Sequence, residues 1–228
     1  MSFSLVQPYS DRGNVMSAMK KILSGVALVA SLAFGATTTQ AQGVEFDGTN
    51  FTCLQYTSSM ADNSSTKAQS GLAKTWVMGY LAGLYKASNT LQVVDDAKAG
   101  ESIASALATK CKEVPQASIW AVAKFLAESP RKIPKMASDS LDLNAYTCAN
   151  HTAAKAGSAS EMMRADLSDL WAFAFIQGFK NFADKDMVIT IENKPVLTGA
   201  VSRNCTKMAD KTFLELTGMV AQAVKLGG

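Results

Sequence analysis

The chain is 228 residues long, with 22 Lys and Arg against 19 Asp and Glu, one histidine and four cysteines. So even a balance excludes the concentrated basic surface that nucleic-acid binding needs. Its 48% apolar content allows a core in one domain or in two small ones.

The first segment, 1–41, reads as a signal peptide. Met19-Lys20-Lys21 supplies a positive start, and residues 22–34 an apolar run too short to span a membrane. Thr39-Gln40-Ala41 then places small residues at the two recognition positions before a cut after Ala41. The polar stretch 1–15 is foreign to such a peptide, which puts the expected true start at Met16 or Met19. Cleavage would leave 19 basic against 18 acidic side chains. No later stretch reaches 18 uncharged apolar residues, so no stable membrane insertion is expected afterwards. Export implies an oxidising compartment, in which cysteines pair.

Beyond the leader, one pattern occurs twice. Phe51-Thr52-Cys53 recurs as Tyr146-Thr147-Cys148, about 95 residues on. Trp76 and Trp171 each follow their cysteine by 23 positions, and Gly83 and Gly178 lie seven further on. Cys111 is 58 after Cys53, and Cys205 is 57 after Cys148. The expected organisation is all-α, with two tandem repeats of about four helices, 50–128 and 146–226, joined by a linker at 129–145. Four cysteines allow three connectivities. The duplication selects Cys53–Cys111 and Cys148–Cys205, one bridge per repeat. The chain-entropy account gives at most about 4 kcal/mol for closing loops of this length.

In the first repeat, Thr52 is expected to cap a short helix over 53–60, and Asp62-Asn63-Ser64-Ser65 to form a turn. A long helix over 66–88 carries Leu72, Trp76, Tyr80, Leu84 and Ala87 on one face. A loop over 89–100 includes an extended piece at 91–94. A third helix runs over 101–111. Pro115 is expected in the first turn of a fourth, through Ile119, Val122, Ala123 and Leu126, which Pro130 stops. The second repeat follows suit: a short helix over 148–156, a long one over 159–183, an extended piece at 187–191, a helix opened by Pro195, and a last helix capped by Asp210. Both long helices carry a second apolar line, Val77, Met78 and Leu81 in one, Phe173 and Ile176 in the other. A helix apolar on two sides must bury both. The second side is expected to pack on the sister repeat, on another chain in a homodimer, or on a client. Gly79, Gly83 and Gly178 each weaken the helix by about 1 kcal/mol against Ala, which points to close approach by another helix.

These motifs resemble the HdeA/HdeB family of periplasmic acid-stress chaperones. The matching text is FTCLQY, WVMGYLAG and ATKCKEVP in the first repeat, and YTCANH, WAFAFIQG and SRNCTKMA in the second. The resemblance covers most of 51–226 as two copies. It implies small, helical, disulfide-closed units in the periplasm. It also implies a dimer-like pairing, here an intramolecular pseudo-dimer, that loosens in acid and holds unfolded clients on apolar surface. The implied surface is Trp76, Val77, Met78 and Leu81 with Trp171, Phe173 and Ile176. GYLAG, CKEVP and AKFLAESP also resemble periplasmic immunity proteins that neutralise secreted toxins, which implies a specific protein partner instead.

No catalytic set is expected, and no cofactor or metal. His151 stands alone on a short helix, where a half-buried structural role is expected. The cysteines are expected to be oxidised and so offer no thiolate. Asp95, Asp96 and Glu101, with Asp184, Asp186 and Glu192, lie in matching loops but lack the twelve-residue calcium-loop pattern, and read as solvated charges.

Overall fold

A computed structural model describes residues 45–61, 66–138, 141–184 and 187–225. The expected signal peptide and the turn at 62–65 lie outside the described residues. The chain is mostly helical, with eight α-helices among the described residues. These are α1 (Cys53–Ser59), α2 (Lys67–Ala87), α3 (Ala97–Glu113), α4 (Ile119–Ala127), α5 (Cys148–Lys155), α6 (Ala159–Ala183), α7 (Lys194–Cys205) and α8 (Phe213–Ala223). No described helix is long and apolar enough to cross a membrane.

Local chemistry sets the helix starts. Thr52 accepts a hydrogen bond from the Gln55 amide at 3.3 Å, while the Gln55 side chain accepts the Thr52 amide at 2.8 Å. Thr147 and Asn150 repeat this reciprocal cap on α5. Two of the donors left open at a helix start are thereby satisfied. The same two segments carry further equivalent bonds. Cys53 donates to the Ala117 carbonyl and Ile119 to that of Phe51, as Cys148 donates to Lys211 and Phe213 to Tyr146. These bonds tie the first helix of each half to the start of its last. The disulfides Cys53–Cys111 and Cys148–Cys205 then tie it to α3 or α7, with Cα atoms 4.7 and 4.6 Å apart.

Three helix starts differ from expectation. Helix α3 begins at Ala97, because Asp96 caps it through the Lys98 amide. Pro115 lies in the turn before α4, where its carbonyl accepts from Leu54, and Ser118 is the cap. Asp210 likewise lies in a turn, and Thr212 with Glu215 makes the capping box of α8. A proline or carboxylate near a helix start is displaced when a hydroxyl one to three residues on is better placed to reach the N3 amide.

Described residues of the expected linker 129–145 enter the core. Ile133, Ala137, Leu141 and Leu143 are buried. Strand β1 (Val93–Val94) pairs in parallel with β2 (Ile133–Pro134) through the amides of Ile133 and Lys135, both at 2.8 Å. The proline falls between those two donors, where no amide is needed. Strands β3 (Met136–Ser138) and β4 (Leu141–Asp142) form a short antiparallel pair. Among the described residues the second half has no counterpart of β1. Residues 187–190 are in no strand, a 3₁₀ turn follows at Ile191–Asn193, and the Ile189 carbonyl accepts from the Gln177 side chain.

Candidate functional site

The two long helices lie at the centre of the fold. Residues 75–83 of α2 and 168–180 of α6 are buried without a break. Such runs cover the whole circumference of a helix, so each is enclosed on all sides rather than along one stripe. The short helices supply the outer walls: α1, α3 and α4 pack around α2, and α5, α7 and α8 around α6.

Glycine permits the crossing of the two. A Cβ at Gly83 would strike the main-chain carbonyl of Phe175, and one at Gly178 would strike that of Tyr80. Gly79 stands in the same way against the Trp171 carbonyl and meets the Ala174 methyl. The expected close approach by a helix is therefore that of α6 on α2. The contacts are reciprocal, since Gly83 and Gly178 lie 95 positions apart, as do Tyr80 and Phe175.

All seven residues marked as a client or interface surface are inside. Trp76, Val77, Leu81, Trp171, Phe173 and Ile176 have at most 1% exposure, and Met78 has 8%. Trp76 stacks on Tyr80 at 5.4 Å, and Trp171 packs on Phe175 at 5.2 Å. Each indole nitrogen is buried with no hydrogen-bond partner among the described residues. An unmet buried donor costs about 1–3 kcal/mol, a cost that the apolar area each indole buries offsets. In this state they offer nothing to a client.

Sequence reasoning missed a polar cluster in the second half. His151 is 1% exposed, more deeply set than the half-buried role expected of it. Its Nδ1 is 3.0 Å from Ser168 Oγ, and its Nε2 is 3.4 Å from both Ser202 Oγ and Asp169 Oδ1. Asp169 Oδ2 accepts from Lys155. Burial, with Lys155 nearby, pushes the His151 imidazole down to about 4. Burial pushes the Asp169 carboxyl up to about 6, against the pull of Lys155. The only sequence signal was the lone histidine, because Asp169 is reached through the fold and not by spacing.

A serine, a histidine and an aspartate in this order resemble a nucleophilic triad, but the geometry gives no room for a substrate. Ser168 is fully buried and donates its hydroxyl to the Ala165 carbonyl at 2.7 Å. A nucleophile must reach its substrate, and Ser168 is enclosed in this structure.

The loop carboxylates have local roles. Asp95 pairs with Lys135 at 2.8 Å and Asp96 caps α3. Asp186 lies outside the described residues. Among the described residues no three His, Cys, Asp or Glu side chains gather to hold a metal. An apolar groove of about 330 Å³ lies between α7 and α8, lined by Met208, Leu216, Met219 and Val224.

No family model, curated protein or solved structure matches this chain.

Proposed function

We propose that the chain is two tandem HdeA-like repeats folded on each other as an intramolecular pseudo-dimer. It works, in this reading, as a non-enzymatic periplasmic holdase that opens in acid and binds unfolded clients. The observation that carries the reading is the reciprocal glycine crossing of α2 and α6, in which each helix lays a bare backbone on the carbonyls of the other. Such a contact between equivalent surfaces is what a two-fold interface requires. It hides the apolar residues that a client would need.

Acid gives a physical route to exposing them. Below pH 3 the carboxylates are protonated, while the 19 basic side chains that follow residue 41 stay charged and His151 becomes charged. Net charge then approaches +20, and self-repulsion opposes the compact state. Both disulfides survive acid, so each half would stay looped while α2 and α6 part. The exposed indoles would then meet water or client.

Light scattering of an acid-aggregating test protein at pH 2–3 decides this. The purified chain is expected to suppress the scattering over the same pH range in which its tryptophan emission shifts to the red. Unchanged aggregation with the chain still folded removes the reading. The groove between α7 and α8 favours a second one, a specific protein partner such as a secreted toxin bound by the intact fold. A tight single-partner complex at neutral pH, with no acid activity, would select it.

A further inference from the structure

The second half carries acid–base chemistry in its core that the first half lacks. The positions 95 residues before His151, Lys155, Ser168 and Asp169 are Tyr56, Met60, Ala73 and Lys74, with no carboxylate among them. Helix α5 supplies His151 and Lys155, and Tyr146 just before it sets its ring edge-on to the imidazole at 6.2 Å. Helix α6 supplies Ser168 and Asp169, with Asp166 acting through space on Asp169 and Arg164 on Tyr146. Helix α7 supplies Ser202 and Lys194, the latter acting on Asp169. Helix α8 closes the site with the Phe213 ring, 4.7 Å from the imidazole.

When Ser168 gives its one proton to the Ala165 carbonyl, the ring is the donor at His151 Nδ1. Nε2 of the neutral ring is then a lone pair, which can accept from Ser202. Asp169 Oδ1 faces that lone pair and has no hydrogen-bond partner among the described residues. One proton placed between Oδ1 and Nε2 makes whichever atom holds it the donor and the other the acceptor.

We infer that His151 and Asp169 form a compensating acid–base pair: a proton entering the second half is held between them, so that mild acid leaves α5 packed on α6 and α7. Burial penalises the charged form of each group, and a base and an acid respond to that penalty oppositely. With its pKa at about 4 instead of 6.5, His151 alone contributes stability above pH 6.5 that is lost as pH falls to 4. With its pKa at about 6 instead of 3.8, Asp169 alone contributes stability below pH 3.8 that is lost as pH rises to 6. The windows overlap and the signs oppose. The inference stands apart from client binding, and it leaves any acid opening to the summed charge of the surface.

Denaturant unfolding of the full chain, disulfides intact, tests it between pH 7 and 4. Unaltered protein, His151→Gln, Asp169→Asn and the double variant are compared, with the double variant as reference. As pH falls, the folding constant of Asp169→Asn is expected to drop by up to about 300-fold against that reference, and that of His151→Gln to rise by up to about 150-fold. The unaltered protein should stay within about tenfold. Single variants that both track the double, or an unaltered chain that falls further than tenfold, overturn the pair. Should the variants fail to fold, the one histidine of the chain gives a single imidazole signal by NMR on the unaltered protein. That signal is expected to titrate while the α5 amides stay protected from exchange. Loss of α5 protection as the ring charges would overturn the inference equally.

Discussion

Gly178 rests against the main-chain carbonyl of Tyr80 so closely that no side chain fits between them. The obstacle is backbone, which cannot rotate aside, so a methyl group there must push the helices apart. Gly178→Ala and Gly83→Ala are each expected to destabilise the chain by about 1–3 kcal/mol, the usual range for overpacking. This holds even though Ala improves helix propensity by about 1 kcal/mol. Gly71, on the same α2 helix, has nothing near its missing Cβ. Gly71→Ala should therefore stabilise by up to about 1 kcal/mol. Urea unfolding midpoints of the three variants give the comparison. Equal behaviour at Gly71 and Gly178 would mean that α2 and α6 do not cross there.

Each disulfide closes its own half, and its removal should register there. Cys148→Ala with Cys205→Ala is expected to lower stability by about 2–5 kcal/mol, and the Cys53 and Cys111 pair by a similar amount. Peptide mapping of the unreduced protein should find only these two links. A fragment joining a cysteine of 53–111 to one of 148–205 would contradict the structure. Hydrogen exchange should show the loss of protection concentrated in the half that lost its bridge.

Much of this was legible in the sequence because it rests on local chemistry. The span of α6 follows from Gly157 and Ser158 before it and from unbroken helical spacing after it. The reciprocal glycines signalled a close helix partner without naming it. What was not legible depends on which segments meet. The 129–145 segment looks like a linker because its prolines and charges are the commonest signs of one. Its apolar residues Ile133, Ala137, Leu141 and Leu143 lie four, four and two positions apart, which fits no strand alternation, and Pro134 bars the helix that the spacing of four would suggest. His151 gave no hint of Asp169, because α5 and α6 bring them together across 17 residues of intervening chain. The second apolar line on each long helix was visible, but its partner, the sister helix, became definite only with the fold.

The buried segment between the halves makes its own prediction. Ile133 is fully enclosed between β1 and the helices. Ile133→Ala should cost about 2–5 kcal/mol, the range for emptying a core site of this size. The same change in a solvated linker would fall within about 0.5 kcal/mol of zero. Thermal or urea unfolding separates these outcomes clearly. Proteolysis offers a second reading, since a paired strand resists cleavage after Lys132 and Lys135 far better than a free linker.

Tyr56 stands where the second half has His151, and its hydroxyl is buried with no hydrogen-bond partner among the described residues. Burial pushes its phenol up to about 12 from the ordinary 10. A pKa raised in the folded state gives stability that is present below pH 10 and lost as pH climbs to about 12. The amount is about 3 kcal/mol for two pH units. Burial raises Tyr80, Tyr85 and Tyr146 as well, so the whole chain should weaken in this alkaline window. Tyr56→Phe isolates the one contribution. It removes an unmet hydroxyl, so at pH 7 the variant should match or exceed the parent by about 1 kcal/mol. Its advantage should then widen between pH 10 and 12, as read by urea midpoints with tyrosinate absorbance followed in parallel. A constant difference across that window would show that water reaches the Tyr56 hydroxyl, and that α1 does not seal against α2 and α3 as tightly as the structure has it.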